Sequence, residues 1–372
     1  MKYNTIIIGA GISGLTIGAG LENPDFIILE ARERVGGRVY TNSDTHLDMG
    51  AAWIHGSIDN PLNQFLNYDE NMIPIAPSNP WIHSEDASIQ YLTTSGEISE
   101  MERHEMALQW QEMVKHIANV EDKTIDEACD QAFNQLSKTS KWYKSFLYMI
   151  EVWCGGSIKN IPSSYLQHSV GDYPGSHCLF KNGASTLVNA IISSSTHNLD
   201  GRIKCNQIVR EIKYDTGHNG TGHNDRGHND RGHNGRGLIS IIIDDGSIYY
   251  CDKLCITIPP GPLLDIRFTP PLSQERINAL SHVKMGSYKK VQMVFDRSDV
   301  FWNDVPMLLT CDNNDNYTLW NNYMCSKNKP VIEAVCPANI GWAMAGRSDE
   351  EIIDQMLTNL RAFYPRAPDP VS

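Results

Sequence analysis

The sequence predicts an α/β fold that begins with a Rossmann-like nucleotide-binding unit. Three observations near the amino terminus support this prediction. A β-branched run, Thr-Ile-Ile-Ile at residues 5–8, has the composition of a buried strand. The glycine motif GAGISG follows at once and leads into a helical pattern over residues 13–22. FIILE at residues 26–30 then reads as a second strand, so strand, helix and strand form a compact βαβ unit.

Further along the chain, helical and strand patterns alternate. Apolar residues recur every three or four positions from about residue 100 to residue 154, which predicts helices. Strands are predicted at residues 208–214, 238–244, 253–259 and 289–296, and a last helix is predicted at residues 349–364. Between two of these strands, residues 217–236 are four pentapeptides, GHNGT, GHNDR, GHNDR and GHNGR. Because Gly, Asn and Asp form turns and pack no core, we predict a solvated, disordered loop without a functional metal site.

Length and composition limit the classes of protein to consider. The chain of 372 residues is long enough for two domains. Its formal net charge of −13 argues against nucleic-acid binding and is compatible with a cationic substrate. The nine cysteines form no CxxC pair, and no stretch has the targeting pattern or the length of a membrane span. These features predict a cytoplasmic protein that does not bind nucleic acid or cross a membrane.

The glycine motif has the spacing of a dinucleotide site. Gly9 permits a tight turn, Gly11 lets backbone N–H groups approach a pyrophosphate, and Gly14 allows helix and strand to pack closely. The helix amino terminus adds a partial positive charge. Glu30 stands at the offset where an acidic residue binds ribose hydroxyls, which favours FAD or NAD over NADP. A turn that binds no nucleotide is the structural alternative.

The stretch LEARERVGGRVYT at residues 29–41 favours FAD over NAD, because a longer cofactor passes a second loop after the acidic residue. Arg32 and Arg38 can offer guanidinium groups to ribose or pyrophosphate oxygens. Gly36 and Gly37 let the backbone pass close to the ligand. Arg34 is expected to face solvent.

Three segments, IIIGAGISGL, ILEARERVGGRVYT and LDMGAAWIHG, resemble the flavin-containing amine oxidases. WIHG followed by NPLNQF is most similar to the spermine and acetylpolyamine oxidase branch, and residues 256–302 are similar to the passage into the family's substrate domain. The resemblance implies an FAD-binding domain at residues 1–74 and 180–262, interleaved with an α+β substrate domain at residues 75–179 and 263–372. It also implies FAD as cofactor and an amine, most simply a polyamine, together with O2 as substrates.

The resemblance assigns roles to individual residues. Glu30 would bind ribose, while Arg32 and Arg38 would contact the middle of the cofactor. His55 matches a substrate-side histidine, although a packing role for this residue remains open. The other implied contacts are the backbone of Val209 at the adenine and, along the isoalloxazine ring, Gly50, Ala51 and Trp53.

Lys290 in GSYKKVQMVF matches the family lysine that holds a water molecule against flavin N5. A fixed ammonium group and water at that position can assist reoxidation by oxygen and stabilise negative charge on the reduced ring. The alternative is a lysine at a strand end whose ammonium group reaches solvent. Lys289 is expected on the opposite face of the same strand.

The family completes its cofactor site with a carboxyl-terminal, glycine-rich segment that this sequence is expected to lack, since it stops at AFYPRAPDPVS. Either the chain is then a truncated product, or a protein partner supplies the segment in trans. The sequence therefore leaves three functions open: an FAD-dependent amine oxidase that produces H2O2, an inactive amine-oxidase-like protein that binds FAD weakly or acts in protein interactions, and a member of another flavin family with the same amino-terminal motif.

Overall fold

The computed structural model describes residues 1–76, 88–133, 140–168, 173–214, 238–311 and 317–372. The pentapeptide segment at residues 217–236 lies outside the described residues. The chain divides into two compact units. The first comprises Met1–Ala52, Gln64–Leu66 and Asn182–Lys284, and the second comprises Trp53–Asn63, Asn67–Lys181 and Met285–Ser372.

Strands supply most of the framework of both units. In chain order they are β1 (Lys2–Ile8), β2 (Phe26–Leu29), β3 (Trp53–Ile54), β4 (Met72–Ala76), β5 (Ile89–Thr93), β6 (Gly96–Glu97), β7 (His177–Phe180), β8 (Ile203–Lys204), β9 (Val209–Tyr214), β10 (Ile239–Ile243), β11 (Ile248–Ile256), β12 (Arg267–Thr269), β13 (Tyr288–Val294), β14 (Met307–Thr310), β15 (Thr318–Asn322) and β16 (Val331–Pro337).

Helices pack on these sheets or connect them. In chain order they are α1 (Ile12–Gly20), α2 (Tyr68–Asn71), α3 (Glu100–Ala118), α4 (Ile125–Phe133), α5 (Tyr143–Cys154), α6 (Tyr165–His168), α7 (Ser185–Ser194), α8 (Pro260–Leu264), α9 (Gln274–His282), α10 (Tyr323–Lys327), α11 (Ala338–Ala343) and α12 (Asp349–Arg361). Short 3₁₀ turns lie at Pro61–Gln64, Asp200–Arg202 and Arg297–Asp299. Among the described helices, none combines the length and the apolar character needed to cross a bilayer.

The first unit is built on a seven-stranded sheet with the order β12-β9-β10-β11-β1-β2-β8. Strands β11, β1, β2 and β8 are parallel neighbours, and α1 connects β1 to β2. The carboxyl ends of β11, β1 and β2 therefore meet at one edge of the sheet, which is where open α/β sheets bind their ligands. This arrangement confirms the predicted α/β fold class with a Rossmann-like start.

The second unit contains a six-stranded sheet, β13-β16-β15-β14-β5-β6, and a three-stranded antiparallel sheet, β3-β7-β4. Each face of the six-stranded sheet carries its own apolar core. One core joins the sheet to α3, α4 and α5, and the other joins it to α12. Strand β16 is buried along its whole length, so it presents apolar side chains to both cores.

Several strands and helices lie where the local sequence patterns predict them. Strands β9, β10 and β13 fall within a residue or two of their predicted ranges, and α12 occupies most of its predicted range. Both α3 and α12 begin at a capping box, formed by Ser99 with Glu102 and by Ser348 with Glu351. Strands β14, β15 and β16 were not predicted.

The boundaries of the two units differ from the predicted domain boundaries in four segments, residues 53–63, 67–74, 180–181 and 263–284. Residues 263–284 lie in the first unit because β12 is hydrogen-bonded to β9 of its sheet. Residues 53–63 lie in the second unit because β3 pairs with β7. The assignment of FAD to the first unit and of substrate to the second stays a prediction.

Candidate functional site

The glycine motif lies where β1 passes into α1. Gly9 has a φ of +101°, a conformation that side chains disfavour, and a Cβ atom there would lie 2.9 Å from Thr257 Oγ1. A Cβ atom on Gly14 would lie 1.9 Å from the carbonyl oxygen of Gly9, so helix and strand pack with no room between them. Around Gly11, by contrast, a Cβ atom would meet nothing within 4 Å, because this residue borders open space.

Glu30 follows β2 directly and is 8% exposed. One carboxylate oxygen accepts the backbone N–H of Ala10 at 2.7 Å, and the other accepts the backbone N–H of Arg32 at 2.9 Å. The side chain therefore fixes the turn after β1 against the turn after β2. The backbone carbonyl of Glu30 also accepts the N–H of Gln207, which leads into β9.

The second glycine pair brings the loop after β2 against the first glycine motif. Gly36 donates its N–H to the carbonyl of Ala10 at 2.8 Å, and a Cβ atom on Gly37 would lie 3.3 Å from Gly11 Cα. Both Gly36 and Gly37 have positive φ, at +91° and +60°. At these two points the loops meet through backbone atoms, a close approach that glycine allows because it has no side chain.

The three arginines of this loop differ in environment. Arg34 donates from Nη1 to the carbonyls of Val35 and Gly37 and stacks over the Tyr40 ring at 4.2 Å. Arg34, expected to face solvent, is only partly exposed, and its side chain binds the carbonyls of its own loop. Arg32 and Arg38 are exposed, and their guanidinium groups make no hydrogen bond or ion pair with any residue in the described part of the chain.

These loops enclose a cleft of about 390 Å³, a size that suits a small-molecule ligand. Its lining combines the predicted glycines and charged residues with residues that follow β11. The lining residues are Gly9, Gly11, Ile12, Ser13, Glu30, Ala31, Arg32, Gly36, Gly37, Arg38, Val39, Thr257, Ile258, Pro259 and Pro262. All of them belong to the first unit.

The sequence did not predict that the residues after β11, which begin at Thr257, form one wall of the cleft. Thr257 donates its hydroxyl to the carbonyl of Ile8 at 2.9 Å, which joins the end of β11 to the end of β1. Because β11 is parallel to β1, its carboxyl end opens at the same edge of the sheet. The available signal was the run ITIPPG directly after a strand, but no local pattern indicates which strand lies beside β1.

The residues of the cleft fit the adenosine diphosphate half of a dinucleotide. Gly11 opens towards the cleft at the amino terminus of α1, where backbone N–H groups and the helix dipole favour a pyrophosphate. Arg32 and Arg38 supply two cationic groups, and Glu30 supplies an acceptor for ribose hydroxyls.

Three further predicted cofactor residues lie near the cleft or behind it. Ala51 donates its N–H to the carbonyl of Arg38 at 3.1 Å, and a Cβ atom on Gly50 would lie 2.0 Å from that same oxygen. Gly50 and Ala51 therefore lie against the backbone of a cleft residue. Val209 is buried at the start of β9, paired with Ile243, and does not line the cleft.

Trp53 and His55 belong to the second unit. Trp53 is half-buried at the start of β3, and its ring stacks on His55 with centroids 6.3 Å apart at 14°. His55 is exposed, and its Nδ1 lies 2.9 Å from Nδ1 of the buried His177. His177 was not singled out in the sequence, where nothing distinguishes it from a packing residue of a short apolar strand.

Lys290 lies in β13 of the second unit, with its side chain only 8% exposed. Its Nζ is 3.5 Å from Oε1 of Glu333, a residue of β16 that is fully buried. The alternative prediction, a lysine that reaches solvent, is therefore wrong. Three neutral donors also point at the Glu333 carboxylate, namely Gln292 at 2.6 Å, Asn321 at 2.8 Å and Tyr323 at 3.2 Å.

We call these five residues the Glu333 cluster: Lys290, Gln292, Asn321, Tyr323 and Glu333. They come from neighbouring strands of one sheet and from the helix after β15, and they form a polar cluster within the otherwise apolar interior of the second unit. The sequence signal for it was a single acidic residue in the otherwise apolar run VIEAVCP.

Within the described residues, no group of three or more His, Cys, Asp or Glu side chains has the arrangement of a metal site. The nine cysteines are free thiols, five of them buried. Burial raises the pKa of the Cys129, Cys154 and Cys336 thiols to about 12. These thiols are therefore poor nucleophiles at neutral pH.

Comparison with known proteins gives matches over the whole chain. The family model described as flavin containing amine oxidoreductase matches residues 161–372, and the model of an NAD(P)-binding Rossmann-like domain matches residues 7–68. A probable polyamine oxidase 4 from Arabidopsis thaliana is 23% identical over 394 residues, which covers 100% of this chain and 73% of that protein. Polyamine oxidase 4 from Oryza sativa subsp. japonica is 25% identical over 390 residues, covering 99% and 74%.

A solved structure of a redesigned putrescine oxidase, a triple mutant with altered cofactor binding, has a similar fold. Its TM-score is 0.63 at 18% sequence identity, and the match covers 100% of this chain and 83% of that chain. These matches do not confirm the predicted lack of a carboxyl-terminal segment.

Proposed function

The chain belongs to the flavin-containing amine oxidoreductase family, and from that premise we propose that it is an FAD-dependent oxidase of polyamines. The resemblance inferred from the amino-terminal motifs is thereby confirmed at the level of the family. The identity of the cofactor as FAD, the substrate and the product H2O2 belong to the proposal.

The observation that carries the proposal is the cleft at the carboxyl ends of β1, β2 and β11. It combines an open glycine, an acidic residue and two cationic side chains with no partner in the described chain. Such a set is suited to a ligand with ribose and phosphate groups. In the proposed complex Glu30 binds the ribose, while Arg32 and Arg38 bind phosphate or ribose oxygens.

The proposed reaction converts a secondary amine, water and O2 into an aldehyde, a smaller amine and H2O2. When bound, FAD would supply the acceptor for a hydride from the carbon beside the amine nitrogen and a route for the two electrons to O2. The protein's residues position the amine, exclude water and hold a proton where charge develops.

Two residues of the second unit take the proposed roles on the substrate and oxygen side. His55, exposed and stacked on Trp53, accepts a hydrogen bond from the amine. Lys290, held at Glu333, supplies a fixed ammonium group that orients water and stabilises negative charge during reaction with oxygen. The net charge of −13 enriches cationic amines near the protein.

The first test is the visible absorption spectrum of the purified, desalted protein, recorded before and after anaerobic addition of spermine. We expect flavin bands that bleach with the amine and return with air, together with one H2O2 per amine consumed. Bands that do not bleach with spermine or with other polyamines would refute the oxidase proposal but not the cofactor. No flavin after incubation with excess FAD would refute both.

A pair of variants tests the cleft separately. Arg32→Ala/Arg38→Ala should weaken FAD binding by about 100-fold or more, because each charge-assisted hydrogen bond contributes ~1.5–3 kcal/mol. Stability without FAD should stay close to that of the parent protein, since neither guanidinium group has a partner in the described chain. Arg210→Ala, an exposed arginine of the same unit outside the cleft, is the matched control.

Lys290 has a matched control in its neighbour. Lys290→Met should slow the reaction of reduced enzyme with O2 by at least about tenfold, whereas Lys289→Met on the opposite face of β13 should not. Stopped-flow mixing of amine-reduced enzyme with O2 measures this step alone. Equal rates in the two variants would remove Lys290 from the oxygen reaction.

A reducing compartment such as the cytoplasm suits the proposed enzyme. All nine cysteines are free thiols, which is common where thiols are kept reduced. Fractionation of the source cells with antibody detection would test this location.

A further inference from the structure

The two histidines of the second unit form a hydrogen-bonded pair with unequal environments. Nδ1 of His55 lies 2.9 Å from Nδ1 of His177, with the ring planes inclined at 67°. His177 is 1% exposed and lies in β7, whereas His55 follows β3 and is exposed. The antiparallel register of β3 and β7 pairs Ile54 with Cys178, so the next step of the register brings His55 opposite His177.

The short separation of the two nitrogens sets the position of a proton. A hydrogen bond between two ring nitrogens requires one N–H and one lone pair, so one Nδ1 carries hydrogen and the other does not. The contact therefore allows a single proton between the rings, and it ties the tautomer of each ring to that of the other.

The exposed ring is held from two sides. Trp53 stacks on His55 nearly parallel to it, and His177 contacts the nitrogen of its inner edge. His177 is itself anchored, because β7 is the buried central strand of a three-stranded sheet. The next residue, Cys178, points to the opposite face of the strand and is hydrogen-bonded to Tyr68.

We propose that His177 is a positioning residue for the amine site. It accepts the Nδ1–H of His55 and so fixes that ring in the tautomer whose Nε2 keeps a lone pair for the N–H of a cationic or neutral amine. This inference rests on the proposed function, in which His55 contacts the substrate. A second group that sets the tautomer of a functional histidine is a general device of enzyme sites.

The tautomer can be read without any catalysis. Two-dimensional ¹H–¹⁵N spectra of histidine-labelled protein, assigned with His55→Ala and His177→Asn, distinguish a protonated ring nitrogen from one with a lone pair. We expect His55 with hydrogen on Nδ1 and a lone pair on Nε2. The reverse tautomer, or a mixture of the two, would overturn the proposal whether or not the protein oxidises amines.

Kinetics of three variants test the consequence. His177→Phe fills a similar volume without an acceptor, and KM for the amine should rise about 10- to 100-fold while kcat changes less than about threefold. His177→Asn places an amide oxygen near the position of Nδ1 and should restore KM to within about threefold. Cys178→Ala, which alters the other face of β7, should leave KM unchanged.

Non-additivity separates positioning from a merely structural role. If His177 acts through His55, then His177→Phe should have no further effect on KM in a His55→Ala background. An equal rise in KM in both backgrounds would overturn the proposal. Failure of the parent protein to oxidise any amine would instead refute the proposed function and with it the role of the pair at an amine site.

Discussion

Replacing Glu333 should destabilise the second unit more than a typical core substitution. Glu333 is fully buried, with the ammonium group of Lys290 at 3.5 Å and three neutral donors within 3.2 Å of its oxygens. Glu333→Ala removes the acceptor for all four groups at once. Breaking a buried ion pair in this way costs ~3–5 kcal/mol, because a charge remains in the interior without its counter-charge.

The expected cost corresponds to a large shift of the melting temperature. For a unit of 150–250 residues, each kcal/mol lowers Tm by roughly 2–4 °C, so Glu333→Ala should lower it by about 6–20 °C. Circular dichroism of the protein during heating measures the shift. Urea unfolding at 25 °C provides an independent value of the change in free energy.

A second substitution distinguishes loss of the ion pair from loss of packing. Lys290→Met in the Glu333→Ala background removes the buried ammonium group and should recover at least ~1 kcal/mol, a coupling typical of residues in contact. The reasoning would be refuted by a Tm within about 2 °C of the parent protein for Glu333→Ala, or by strictly additive effects of the two substitutions.

Three further predictions concern other parts of the molecule. Gly14→Ala should destabilise the protein by about 1–3 kcal/mol in urea unfolding, because its Cβ atom would overlap the carbonyl oxygen of the motif's first glycine. Gly11→Ala should leave the stability unchanged, since a Cβ atom there meets nothing, but it should weaken FAD binding as measured by flavin retention. Cys336, whose pKa burial raises to about 12, should resist iodoacetamide at pH 8 until denaturant is added, as mass spectrometry would detect. Hydrogen bonding to Lys141 lowers the pKa of Glu102 to about 2. The ionised Glu102 side chain therefore contributes to stability above pH 4.5, and this contribution is lost as the pH falls towards 2. Glu102→Gln should remove that part of the pH dependence of urea unfolding.

The parts of the site that follow from the sequence are those encoded within a few residues. The motif from Gly9 to Gly14 prescribes a turn and a helix start, and Glu30 follows from the length of one βαβ unit. The functional roles of these residues in binding FAD remain predictions. Their positions, at one edge of a parallel sheet, follow from local strand and helix patterns alone.

The parts that the sequence did not predict depend on contacts between distant residues. The cleft wall at Thr257 exists because β11 lies beside β1, and no local pattern encodes that neighbour. Arg34 was expected in solvent because charged loop residues usually are, yet its donors meet two carbonyls of its own loop. His177 lies in the apolar run HCLF, where only the pairing of β7 with β3 brings it to His55.

The pairing of β1 with β11 affects when the sheet of the first unit can form during translation. Lys2 pairs with Tyr250, so β1 leaves the ribosome almost 250 residues before the strand that pairs with it. At roughly 5–20 residues per second, that interval is about 12–50 s. During it, one edge of β1 lacks its native neighbour, which is the condition under which chaperones engage nascent chains. The cleft between the two glycine loops can therefore form only late in translation, after the wall that contains Thr257 has emerged.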